Sequence, residues 1–232
     1  APGNVFVTIG IPQQTWMTKL KHVPITLLPL KVGELTAKKV QSILDGCLET
    51  TSNRAPTTTT DSTMQADDNK NAPFVTVKWP NDVLCDGKKI SGALIESANG
   101  WFLIGVGINL DYAPDIPTNG PNYGRPSVSI RDYCPSLQET KQQARQVGID
   151  LAYDLHSWLH QDSSNSIGNQ EQSASSIVEG WKQWLDWDME LVMRDTPGRE
   201  RVRLIDVLPD GRVQVMNRDD GTKRTLVSDY FL

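Results

Sequence analysis

Long apolar runs are missing from this sequence, and so is any excess of positive charge. No stretch approaches the roughly 20 apolar residues that a membrane-crossing helix needs, and no secretory leader is visible at Ala1. Lys and Arg number 23 against 28 Asp and Glu, giving a net charge of −5 and a pI near 5.2. That balance argues against a dedicated nucleic-acid surface, which needs a basic face, and leaves room for a local basic pocket. Cysteine is scarce: Cys47, Cys85 and Cys134 are odd in number, far apart and without CxxC spacing. Unpaired thiols in a reducing, cytoplasmic setting are the expectation. An initial methionine is also absent, and the opening APGNVFVTIG reads as the middle of a fold, so a preceding segment is expected.

What is present is ordinary for a soluble globular chain. With 38% hydrophobic and 22% charged residues among 232, it can build one medium domain and a small one, each around a buried core. Gly3-Asn4 before Val5-Phe6-Val7-Thr8-Ile9 reads as a turn feeding a strand. Beyond Pro12, Pro24 and Pro29, apolar positions across 30–48 recur at helical spacing. Residues 50–71, TTSNRAPTTTTDSTMQADDNKN, offer little to bury and read as a surface loop.

A run of strands follows at 74–79, 83–85, 88–90, 93–97 and 101–104. Asp86-Gly87 and Asn99-Gly100 tolerate the positive φ angles of type I′ turns, so a contiguous antiparallel meander is predicted. Residues 110–135 read as loop with one short ordered piece, 139–159 as a helix, and the segment with Trp181, Trp184 and Leu185 as a shorter helix. The tail reads as a small all-β unit with strands at 190–194, 201–207, 212–217 and 222–227. Its turns fall at Pro197-Gly198, Asp210-Gly211 and Asp220-Gly221, the pattern of a small SH3-type barrel. The predicted division is 1–176 and 177–232.

Residues 77–92, VKWPNDVLCDGKKISG, carry the strongest chemical suggestion. Alternation along 74–79 puts Phe74, Thr76 and Lys78 on one face. Lys78 then projects at a strand end beside the Pro80-Asn81-Asp82 corner, where its ammonium suits a carboxylate or phosphate. A lone strand-end lysine is otherwise most often solvated. Gly92 by itself reads as a bulge or packing glycine, and Asn109 as a turn asparagine. Gly105-Val106-Gly107 lacks the third glycine of a dinucleotide fingerprint and reads as strand plus turn. His156 and His160 share a helix face without a third metal ligand. Trp181, Trp184 and Trp187 have the spacing of residues that seal a domain interface.

Three segments, in this order and spacing, closely resemble the core of biotin protein ligases. Lys78-Trp79-Pro80-Asn81-Asp82 resembles the family's KWPND box, 87–96 its GKKxxGxLxE strand, and Gly105-Val106-Gly107-Ile108-Asn109 its GxGIN turn. Pro2-Gly3-Asn4, Val128-Ser129-Ile130 and the β tail extend the likeness over most of the chain. The resemblance implies an α/β fold of class II synthetase type, with a mixed, largely antiparallel sheet, packed helices and a small C-terminal SH3-like barrel. It implies ATP-dependent ligation of biotin to a lysine of a biotin carboxyl carrier domain through biotinyl-5′-adenylate, with Mg2+ shielding the phosphates. By the same resemblance Lys78 is catalytic and meets both biotin and nucleotide. Gly92 admits biotin's ring system, Leu94 lines the apolar part of its pocket, and Asn109 lies near adenine. Trp79, Pro80, Asn81 and Asp82 form the supporting corner.

The family carries a GRGRxGR-type segment just ahead of the strand matched here by residues 5–9, and an earlier strand that binds biotin's ureido group. The sequence starts after both, so a larger enzyme is expected, with loss of both segments as the alternative. No helix-turn-helix pattern supports a DNA-binding role. Lipoate–protein ligase is the neighbouring alternative, and a non-catalytic biotin- or acceptor-binding protein the alternative from another class.

Overall fold

The computed structural model describes residues 3–52, 73–117, 124–161, 173–193 and 199–227. Five strands, β1 (Val5–Pro12), β2 (Val75–Lys78), β3 (Asp82–Cys85), β4 (Lys88–Ala98) and β5 (Trp101–Ile108), form one sheet in the order β1-β5-β4-β3-β2. Every neighbouring pair is antiparallel. The meander read from the turn residues is there: φ is 47° at Asp86 and 74° at Gly87, 49° at Asn99 and 80° at Gly100. Those are the left-handed pairs that a type I′ turn demands. One irregularity interrupts β3–β4. Leu84 pairs with Lys89 but Val83 pairs with Ser91, which leaves Ile90 as the extra residue of a bulge.

Helices α1 (Gln13–Lys19), α2 (Leu28–Ser52), α3 (Ile130–Tyr133), α4 (Thr140–Leu159) and α5 (Ala174–Lys182) complete the first unit. Leu30, Ala37, Val40 and Leu44 of α2 are buried, as are Val147, Leu151 and Leu155 of α4. Both helices pack on the sheet, against inward side chains such as Val5, Ile11, Ile104, Val106 and Ile108. The opposite face of β1, β5 and β4 is left uncovered by these helices, and it forms the floor of the site described below.

A second sheet contains β6 (Leu191–Val192), β7 (Arg201–Val207), β8 (Val213–Asn217) and β9 (Lys223–Leu226), antiparallel and in chain order. Leu191, Val202, Leu204, Val207, Val213 and Val215 bury its own small core, consistent with the SH3-like unit read from the tail. Helix α5 runs through position 176, where the sequence division fell, and packs on α2. Beyond it the Val77 amide donates to Trp184 O at 2.8 Å, and Leu185 bridges Val77, so the chain covers the edge of β2. The predicted Pro197-Gly198 turn and nearly all of the 50–71 loop lie outside the described residues.

The cysteines correct one expectation. Cys47 near the end of α2 and Cys134 just after α3 form a disulfide across 87 residues of sequence, with Cα atoms 5.9 Å apart. Only Cys85, buried in β3, is free. Sequence spacing cannot reveal such a pair, because packing of α2 beside α3 is what brings the two together.

Candidate active site

A cavity of about 1130 Å³ opens on the outer sheet face and runs to the second sheet. Its floor follows from register. Phe6 stands opposite Gly107, and Gly105 opposite Leu94, with β5 between β1 and β4. Phe6 and Leu94 are 74% and 62% exposed, while the two glycines between them raise no side chain. The result is an apolar trough one strand wide. A side chain at Gly107 would fill it, since a Cβ there would sit 3.7 Å from the Phe6 ring.

At the polar end of the trough, Asp82 is gripped by two lysines. Lys78 Nζ lies 3.3 Å from Oδ2 and Lys89 Nζ 2.6 Å from Oδ1. Lys78 is only 7% exposed, so the solvated strand-end alternative fails. Burial holds its pKa below the ordinary lysine value, the Arg125 and Lys89 charges push the same way, and Asp82 opposes them. Lys89 and Gly92 are three apart, a separation that places side chains on opposite faces of a regular strand. The Ile90 bulge brings them to one side: a Cβ at Gly92 would lie 3.0 Å from Lys89 Nζ and 3.1 Å from Asp82 Oδ1. Glycine at 92 therefore leaves room for the Lys89–Asp82 pair.

The corner is braced from both sides. Asn81 donates its side-chain amide to Ala93 O and accepts from the Ala93 amide on its own carbonyl at 3.2 Å, tying the corner to β4. Trp79 Nε1 donates to Gly211 O at 3.1 Å, and Thr26 Oγ1 to Asp210 O at 2.5 Å. Gly211 has φ of 84°, and a Cβ there would come within 2.9 Å of Thr26 O, so only glycine seats the β7–β8 turn this closely. The peptide between Trp79 and Pro80 is cis.

Asn109 also lines the cavity, with its side chain donating to Val128 O at 3.1 Å. Its backbone joins β4 to α3: the Asn109 amide donates to Ile90 O at 2.8 Å, and the Ile130 amide donates to Asn109 O at 2.9 Å. Lys78, Trp79, Pro80, Asn81, Asp82, Gly92, Leu94 and Asn109 all border this one cavity. Sequence reasoning passed over Phe6, Lys89, Gly105, Gly107 and Arg125, which border it as well. Lys89 stood inside a recognised motif, but its orientation depends on the bulge. Among the described residues no cluster of three or more His, Cys, Asp or Glu could hold a metal ion, and no helix is long and apolar enough to cross a membrane.

Residues 15–112 match the model of the Biotin/lipoate A/B protein ligase family. A biotin--[acetyl-CoA-carboxylase] ligase of Paracoccus denitrificans is 39% identical over 65 residues, 26% of this chain and 27% of that protein. The match thus spans about a quarter of that relative's length. The crystal structure of biotin protein ligase from Leishmania major in complex with biotin superposes with a TM-score of 0.55 at 25% identity, covering 97% of this chain and 78% of that one. Biotin protein ligase from Aquifex aeolicus in complex with biotin and ATP shares the fold, with a TM-score of 0.60 at 15% identity over 99% of this chain and 78% of that one.

Proposed function

We propose, for a chain that resembles the biotin protein ligases in motif, family match and fold, that it joins biotin to a lysine of an acceptor protein at the expense of ATP. The observation that carries this reading is the position of Lys78 and Lys89 on Asp82, where an apolar trough meets the polar end of one cavity. Biotin's ring and aliphatic chain would lie in the trough between Phe6 and Leu94. Its carboxylate would arrive at the lysines, where it must meet a second anion.

In the first step a carboxylate oxygen attacks the α-phosphorus of ATP, an O–P bond forms, the bond to the β-phosphate oxygen breaks, and pyrophosphate leaves. Two anions approach each other, so cations preplaced between them lower the barrier. Lys78, buried and aimed by its braced corner, is the residue assigned to that role. Asp82 holds Lys78 and Lys89 in place until the substrates compete for them. In the second step an acceptor lysine amine attacks the acyl carbon, a C–N bond replaces the C–O bond, and AMP departs as the nitrogen gives up its proton. Mg2+ would come with the nucleotide and be held mainly by its phosphates, as this small hard cation usually is. Asn109 is assigned to the nucleotide side, and the acceptor to a biotin carboxyl carrier domain of a carboxylase.

The test is the intact mass of a purified biotin carboxyl carrier domain after incubation with this protein, biotin, ATP and Mg2+. A gain of one biotinyl group is expected. A gain with lipoate in place of biotin would transfer the reading to lipoate ligation. Biotin binding with no mass gain under any condition would make the protein a binding module.

A further inference from the structure

The reaction above gives no task to two arginines of the cavity, Arg125 and Arg212, and Arg212 is already paired with Asp210 at 2.7 Å. Arg125 lines the cavity wall, just ahead of a segment bonded to the start of β4: the Lys89 amide donates to Pro126 O at 2.8 Å, and the Val128 amide donates to Lys89 O at 3.0 Å. Arg125 Nη1 donates to Gly87 O at 3.0 Å and Nη2 to Glu190 O at 3.4 Å. The guanidinium is therefore oriented by the β3–β4 turn and by the residue that leads into the second sheet.

Strand β4 gives the cavity a direction. From Leu94 back to Lys88, the first residue of β4, the chain advances roughly 20 Å at about 3.3 Å per residue. Leu94 and the glycine trough mark one end, Lys78, Asp82 and Lys89 the middle, and Arg125 beside Gly87 the other end. A nucleoside triphosphate reacting at its α-phosphate in the middle must extend its β- and γ-phosphates away from the apolar acid. The Arg125 end lies that way. A planar guanidinium fork is matched to phosphate oxygens. Arg125 also shares a field with the central cluster, since it helps hold down the Lys78 pKa and itself feels the Asp82 charge.

We propose that Arg125 binds the β- and γ-phosphates of the nucleotide and the pyrophosphate they become. This rests on the ligase reading and extends it to the leaving group. It separates two duties along β4, with the lysines at the reacting atoms and the arginine on the departing ones.

The experiment is pyrophosphate–ATP exchange with biotin by the full chain, the Arg125→Ala variant and the Arg125→Lys variant. Calorimetric binding of inorganic pyrophosphate and of biotin to each, with thermal melting, accompanies it. Arg125→Ala is expected to raise KM for ATP and for pyrophosphate about 10- to 100-fold, the range for loss of a charged hydrogen bond. Biotin affinity stays level, and Arg125→Lys recovers part of the loss. Unchanged ATP and pyrophosphate constants would overturn the proposal. So would a fall in biotin affinity that tracks the fall for ATP, because that is what loosening the Gly87 and Glu190 carbonyls would do. If the unmodified chain shows no exchange with any acid, the ligase reading fails, and pyrophosphate binding decides Arg125 alone. Equal pyrophosphate affinity in chain and alanine variant then refutes it.

Discussion

Twice among the described residues a carboxylate is held between two lysines, and the two clusters have different consequences. In α2, Glu34 is 3.0 Å from Lys31 and 2.5 Å from Lys38, and is itself 3% exposed. In the cavity, Asp82 is 3.3 Å from Lys78 and 2.6 Å from Lys89. The α2 cluster is built at helical i,i+3 and i,i+4 spacing, with Glu34 and Lys31 packed in and Lys38 reaching solvent. Lys31 lies 5.5 Å from the centroid of the Trp158 ring, and a Cβ at Gly180 of α5 would sit 3.0 Å from a Glu34 oxygen. The Asp82 cluster is built across a corner and a bulge and faces open space. A carboxylate and two ammonium groups thus make a helix clamp where packing seals the carboxylate and one of the lysines, and a candidate reaction centre where a cavity lets a ligand compete for the cations.

The contrast breaks most visibly at Lys78. Lys78→Ala should lower adenylation, read as pyrophosphate exchange, by about 10²- to 10³-fold, the usual loss for one preplaced electrostatic donor. Its melting temperature should move little, because Asp82 keeps Lys89. Exchange at the parental rate would remove Lys78 from the chemistry. Glu34→Ala should do the opposite. It leaves Lys31, 9% exposed, as a buried charge without its carboxylate, and should lower unfolding stability by about 3 kcal/mol in urea, while exchange per folded molecule stays level. A rate loss in that variant without a stability loss would erase the distinction between the clusters.

The sequence makes one of these clusters far easier to see than the other. Helical spacing of Lys31, Glu34 and Lys38 is local, so their proximity follows from counting residues. Lys78 and Asp82 are likewise legible, one at a strand end and one just past the Pro-Asn corner, and the Asp86-Gly87 turn correctly announces the hairpin. Ordinary pairing from that turn would set Asp82 opposite Ser91, whereas the Ile90 bulge sets it opposite Gly92. Gly92 hinted at a bulge, but no residue type marks its place at Ile90. The Phe6–Leu94 trough depends on β1 pairing with β5 across nearly a hundred residues. The Gly211 contact needs the second sheet to dock on Trp79. Elements set by neighbours in sequence were mostly readable, α1 being an exception, and those set by tertiary register were not, which is also why the Cys47–Cys134 pair escaped notice.

The smallest expected effect is a shift along the pH axis. Burial depresses the Lys78 pKa below 10.5, with Arg125 and Lys89 adding to it against Asp82. The folded protein therefore binds this proton less well than the unfolded chain does. Between the folded value and about 10.5 the unfolded chain holds more protons, so this group makes stability rise with pH across that window. At lower pH, where both states are protonated, burying the charge weighs against folding by a constant amount. Activity should run the other way, because the required cation disappears as pH climbs through the folded pKa. The alkaline limb of kcat/KM, which reports the free enzyme, is expected below 10.5 and without a parallel loss of stability. Lys78→Arg should carry whatever activity it retains to higher pH, since a guanidinium stays charged there. A limb at the same pH in both proteins would transfer the titration from Lys78 to another group.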